Sequence, residues 1–162
     1  GPAWHVVVMH ALPLIYAVYV GVAEAARALA LRPAAGRRHD AATQELAGRM
    51  ENELATARMG LRQMIDAAAG ACPGIETTNE VMIGRAVAGR AAIQTVEAAM
   101  ELASGAGFYR DLGLERLFRD VQGARYHPLR GSAQLTYAGR VALGLDVNES
   151  NSTGDARKEQ AT

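Results

Sequence analysis

The sequence predicts an all-α fold: an up-and-down four-helix bundle with a short extra helix and a disordered C-terminal tail. Three observations carry this. Alanine, the strongest helix former, dominates every long segment. Proline occurs only five times in 162 residues, so few positions interrupt a helix. Apolar residues recur at steps of three and four, and no run alternates β-branched residues as a strand would. A chain of this length makes one domain with a sizeable core, placed here at residues 1–145, with the tail at 146–162.

The first helix is predicted from about His5 to Leu31, ending in RPAAGRR, where Pro33 and Gly36 break it. Within it, Val6 to Ala23 are 18 positions without a formal charge, near the lower limit for a membrane-spanning helix. His10 and Pro13 interrupt that run, and no Lys or Arg precedes it as a signal peptide requires. The expectation is a central bundle helix covered on most sides by partners, and no membrane span.

Asp40 caps the second helix, which runs to about Ala69. Leu46, Met50, Leu54, Leu61 and Ile65 make its apolar stripe, opposite Arg49, Glu53, Arg58, Arg62 and Asp66. After the loop GACPGIE, Thr77 followed three residues later by Glu80 reads as a capping box for the third helix. Met82, Ala86, Gly89, Ile93, Val96, Met100 and Ala103 then form a seam with small residues, suited to close antiparallel packing. SGAGF stops this helix. The shorter LGLERLFRDVQGARY presents Leu114, Leu117, Phe118 and Val121 on one side. Pro128 is predicted to open a last helix, to about Leu143, where a missing N–H is harmless. From Asp146 onward the chain is polar, which predicts disorder. The N-x-S/T patterns at Asn148 and Asn151 are read as chance.

Composition excludes several functions. Seventeen Lys plus Arg balance seventeen Asp plus Glu, leaving no basic excess for nucleic acid. The single cysteine, Cys72, excludes an intramolecular disulfide and fits a reducing, cytoplasmic compartment. No Cys/His cluster has metal-ligand spacing, and the P-loop and nucleophile-elbow motifs are absent. The G-x-G of SGAGF follows a helix, which argues against a dinucleotide-binding fingerprint.

The order of segments goes further. VYVGVAEAARALA, a basic loop, TQELAGRMENEL, ELASGAGFYRDLGLERLFRD and HPLRGSAQLTYAGRVALG follow one another. Together they resemble the C-terminal helical domain of the acyl-CoA dehydrogenase-like flavoenzymes, over essentially Gly1 to Leu145. The most specific part is G-x-G-F followed by L-E-R-L-x-R-D, Gly105 to Asp120. The resemblance implies an FAD-dependent oxidoreductase of lipid metabolism, built from an N-terminal helical domain, a middle β domain and this bundle. Only the third part is expected here, as a separately cut domain or the product of a truncated reading frame, inactive by itself. Family members assemble as dimers or tetramers through this domain, so a homo-oligomer is expected.

The resemblance also implies a cofactor site. In that family the flavin lies between the β domain and the bundle, and a neighbouring subunit's bundle reaches its nucleotide portion. The turn involved maps onto Gly105, Ala106, Gly107 and Phe108, where missing side chains admit close backbone approach. Glu101 stands where many relatives place a glutamine, and a carboxylate cannot donate as an amide does. Of Arg32, Arg37 and Arg38 in the basic loop, distance from Gly21 selects Arg37 for the cofactor phosphates. Arg119 and Asp120 are read as an ion pair linking helices.

Acyl-CoA dehydrogenation needs a carboxylate to take the α-proton while hydride leaves the β-carbon for the flavin N5. In one subset of the family that glutamate follows a tyrosine just before the last helix. Here those positions are His127 and Pro128. A second subset places it on the first helix, at Ala11, Leu12 and Pro13 in this chain, and the nearest carboxylate, Glu24, is about three turns further on. Both positions are empty. One reading is a dehydrogenase-like protein of acyl-CoA thioesters without the usual glutamate. A second is a flavin-dependent monooxygenase of the same fold, whose corresponding stretch resembles YHPL. There His127 would serve as the base, since imidazoles as a class titrate near neutrality. A third reading is a non-catalytic oligomerisation module. For His127 the plain alternative is capping the last helix or filling an interface.

Overall fold

The computed structural model describes residues 1–148. Among them helices and turns account for the fold and no strand forms. Residues 149–162, with the Asn151 pattern and most of the predicted tail, lie outside the described residues.

Three long helices build the core: α1 (Pro2–Ala34), α2 (Ala41–Ala68) and α3 (Ile75–Ala103). Two polar contacts fix their directions. His5 Nδ1 on α1 lies 2.7 Å from Thr78 Oγ1 near the start of α3. At the other end Arg37, just past α1, donates to the Leu102 carbonyl near the end of α3, 2.6 Å away. So α1 and α3 run parallel, and α2 returns antiparallel to both.

The expected central helix is not α1. It runs past its predicted ends, keeps Pro13 inside and buries Val8, Leu12, Tyr16 and Val20 on one side. Trp4, Val7, Leu14 and Val18 face outward. By length and composition α1 qualifies as a membrane-crossing helix, and 33% of its most apolar stretch is buried inside the bundle. The central helix is α3, which packs against α1, α2, α5 and α6. Small residues bring α2 onto it. A Cβ on Gly60 would meet the Ala88 backbone nitrogen at 2.6 Å, and one on Gly84 would meet the Gly60 carbonyl oxygen at 2.8 Å. The two backbones touch at this crossing. That contact decides which face of α2 is buried, so Met64 and Ala67 lie inward while Ile65, predicted in the stripe, is 46% exposed.

Capping follows the sequence at α2 but not at α3. Asp40 Oδ2 accepts from both the backbone N–H and the hydroxyl of Thr43 at 2.9 Å, and those bonds hold its carboxyl below the ordinary value. The box at Thr77 does not form: α3 begins earlier, after Gly74, and the Thr77 hydroxyl donates to the Cys72 carbonyl.

The last third of the chain is a run of short elements. They are α4 (Gly105–Phe108), α5 (Leu114–Val121), a tight turn Gln122–Arg125, and α6 (Gly131–Ala142). Leu114, Leu117 and Val121 are buried as predicted, with Phe118 at the margin. Pro128 does not open the last helix. It follows a cis peptide bond from His127, and α6 starts three residues later with Arg130 at its cap. Resting on α3, α6 fully buries only Gln134. The fourth side of the bundle is thus shared by α5 and α6.

Candidate functional site

The segment from Ala124 to Gly131, which includes His127 and Pro128, is anchored by side chains from two core helices. Tyr16 on α1 is 1% exposed, and its hydroxyl sits 2.9 Å from the Ala124 carbonyl and 2.8 Å from that of His127. Arg85 on α3, 3% exposed, donates from Nη2 to the carbonyls of His127 and Leu129. Its guanidinium lies over the Tyr16 ring, 5.4 Å from the centroid, a cation–π arrangement. Burial disfavours the phenolate and outweighs the attraction of Arg85, so the Tyr16 hydroxyl is pushed up to about 12 and stays a donor. Three carbonyls of an irregular segment would otherwise be left without donors at the core's edge.

This anchoring acts on the backbone of His127. Its carbonyl is held by Tyr16 and Arg85, while its imidazole is exposed. The residue does not cap α6, whose cap is Arg130.

Beside the anchored segment lies an apolar pocket of about 160 Å³, lined by Trp4, Ala11, Leu12, Met82, Pro128 and Leu129 among others. The sequence separates Ala11–Leu12 from Pro128 by more than a hundred positions. The fold brings them into one pocket. No Asp, Glu, His or Lys lines it. Its walls fit an aromatic ring or an aliphatic chain and offer no proton acceptor.

The residues assigned to the cofactor's nucleotide portion gather at the opposite end of the bundle. Arg37 is tied to α3 through Leu102, one turn before the Gly105–Phe108 turn. Glu101 points elsewhere and pairs with Arg49 of α2 at 3.3 Å. Gly107 has a packing reason of its own: a Cβ there would come within 3.1 Å of the Ala103 side chain and 3.3 Å of the Met100 carbonyl. Gly105 has none, because a Cβ there would meet nothing within 4 Å. Ala106 and Phe108 are exposed, Phe108 strongly so, and its ring stands edge-on to Tyr109. An open glycine backbone, a nearby guanidinium and two exposed aromatic rings suit a nucleotide's phosphates and base. Arg32 and Arg38 are exposed, with Arg38 turned to His39.

Arg119 and Asp120 do not link helices. They are sequence neighbours 3.9 Å apart with exposed side chains. The pairs that cross between helices are Arg27–Glu51, Arg58–Glu24 and Arg49–Glu101, exposed enough to contribute little each. Among the described residues no cluster of His, Cys, Asp and Glu could hold a metal ion.

Sequence reasoning missed Tyr16 and Arg85, the two side chains that organise the site. One signal for Arg85 was present: it falls on the seam of α3, three residues after Met82 and four before Gly89. A family model described as the acyl-CoA dehydrogenase, C-terminal domain, matches residues 8–133. No curated protein matches the chain.

Proposed function

Because the chain belongs to the family of acyl-CoA dehydrogenase C-terminal domains, we propose that it is the bundle of an FAD-dependent oxidoreductase and supplies walls and anchors to the flavin site, not the base. The observation that carries this reading is the apolar pocket in which Ala11, Leu12 and Pro128 meet without a carboxylate. When bound, FAD supplies the hydride acceptor for oxidation of an acyl-CoA at its CH–CH bond. This chain's contribution is binding and orientation. Trp4, Leu12 and Met82 form an apolar wall for a flavin ring or acyl chain, and Tyr16 with Arg85 fixes the loop that closes it. The proton acceptor for the α-carbon then comes from outside this chain.

The geometry also favours an oligomer. Ala11 and Ala34 are 23 residues apart on one helix, about 35 Å at 1.5 Å per residue. One flavin nucleotide with its ring in the pocket does not reach the Arg37–Gly105 end of the same copy. Two copies arranged so that each lends its turn to the other's flavin satisfy both ends. The exposed Phe108 and Tyr109 give that turn an adhesive surface.

A second reading rests on the exposed imidazole of His127, one residue from the pocket wall. Held through its backbone, by the N–H on the Gly123 carbonyl and by its own carbonyl, the residue can present its ring to a substrate phenol, as a flavin-dependent monooxygenase would need. One assay separates the readings, in the FAD-loaded enzyme that carries this domain. Anaerobic loss of the oxidised flavin's colour on adding acyl-CoA supports the dehydrogenase reading. Absence of that reduction, with oxygen consumed only when reduced flavin is supplied, overturns it for the monooxygenase.

A further inference from the structure

Besides its buried face, α1 carries a second apolar seam that faces away from the bundle. From Trp4 to Ala28 its positions are spaced alternately by three and four residues, the pattern of a helix–helix contact. Val7, Leu14 and Val18 on this seam are 55%, 73% and 64% exposed, and Gly21, Ala25 and Ala28 are exposed as well. The charges of α1 nearest to it turn elsewhere: Glu24 and Arg27 pair with Arg58 and Glu51 of α2. The ring of His10 closes on the Val6 carbonyl of its own helix. What faces outward is an uncharged stripe about 36 Å long at 1.5 Å per residue. A continuous apolar stripe of this kind marks a contact surface.

The stripe is bulky at one end and small at the other. Packing inside the chain does not require glycine at position 21, since a Cβ there would meet nothing within 4 Å. A lipid surface would gain little from the small half, because insertion rewards apolar area. A second helix gains from it, because small residues let two backbones approach closely, as Gly60 and Gly84 already do between α2 and α3. The sequence of sizes also fits itself. When an identical helix is laid end for end about position 16, Trp4 faces Ala28, Val7 faces Ala25, Ala11 faces Gly21 and Leu14 faces Val18. Bulky residues meet small ones at both ends, and the two-fold axis makes each contact twice.

We propose that this seam docks a second copy of the chain, its α1 antiparallel to the first across a two-fold axis beside Tyr16. The interface is separate from the Phe108–Tyr109 turn and does not rest on the flavin reading, since it concerns the outer face of α1 in the chain alone.

Sedimentation equilibrium of the 162-residue chain, with the exposed Cys72 replaced by Ser, tests it. A reversible monomer–dimer equilibrium is expected. Val7→Cys and Ala25→Cys, each made in a separate Cys72→Ser chain, should form a disulfide-linked dimer only when the two are mixed. Gly21→Leu then gives a result that a folding defect cannot imitate. It should raise the unfolding midpoint of the monomer, because leucine favours a helix where glycine does not. It should also weaken self-association about tenfold by holding the two backbones apart. A monomer at every concentration, a dimer in which either cysteine variant links to itself, or association unchanged in Gly21→Leu would overturn the interface. Binding to phosphatidylcholine vesicles in place of self-association would overturn it in favour of a lipid surface.

Discussion

The segment Ala124–Gly131 lines two cavities of opposite character. On one side Pro128 and Leu129 close a pocket with no charged group; on the other, Ala124, Arg125 and Gly131 close a cleft with three guanidinium groups. One pair of anchors, Tyr16 and Arg85, holds the backbone between them. The difference teaches that this domain separates two tasks. The apolar side can position a ring or chain but cannot move a proton. The cationic side gathers charge, and its buried member, Arg85, is spent on backbone carbonyls and the Tyr16 ring.

The sharpest way to break the contrast is to put a charge on the wrong side. Leu12→Asp buries a carboxylate where nothing can pair with it, and should destabilise the chain by about 4 kcal/mol in urea unfolding. A loss below about 1 kcal/mol would show that the pocket is wet and the contrast false. Next is Arg85→Met, which keeps much of the volume but leaves the Leu129 carbonyl without its donor. It should cost about 3 kcal/mol in the same urea unfolding.

Tyr16→Phe is milder, about 1–2 kcal/mol, because only the hydroxyl's bonds are lost. It also changes the alkaline limb. The folded hydroxyl titrates at about 12 against an ordinary 10.0. Its contribution is therefore complete below pH 10 and lost as pH rises from there through about 12. Stability measured across that window should fall less steeply in Tyr16→Phe than in the parent chain. The smallest effect lies at the far end. Ser104 has φ of 56° where α3 stops, a conformation glycine adopts freely. Ser104→Gly should stabilise the fold by about 1 kcal/mol and leave both cavities unaltered.

How much of this was legible depends on where each signal resides. Three long helices could be read directly, because alanine and the spaced apolar residues encode them locally. The face of α2 could not, since Ile65 and Met64 are equally apolar and the backbone contact at Gly60 and Gly84 chooses between them. Pro128 met the usual rule for a helix start, yet the chain needs three more residues to bring the carbonyls of His127 and Leu129 under Arg85. Those acceptors are backbone atoms, and the Tyr16 bond to Ala124 spans 108 positions. Backbone atoms leave no mark in a sequence. The meeting of Ala11, Leu12 and Pro128 was equally invisible, since it joins positions more than a hundred residues apart.

On the function proposed above, this bundle offers no base to the flavin site. The most direct measurement is the rate of anaerobic flavin reduction by acyl-CoA in the FAD-loaded enzyme carrying this domain, with and without His127→Ala. A rate within twofold of the parent, with an unchanged pH profile, is the predicted result. A loss of a hundredfold or more, with flavin still bound, would contradict it and place the proton transfer on His127.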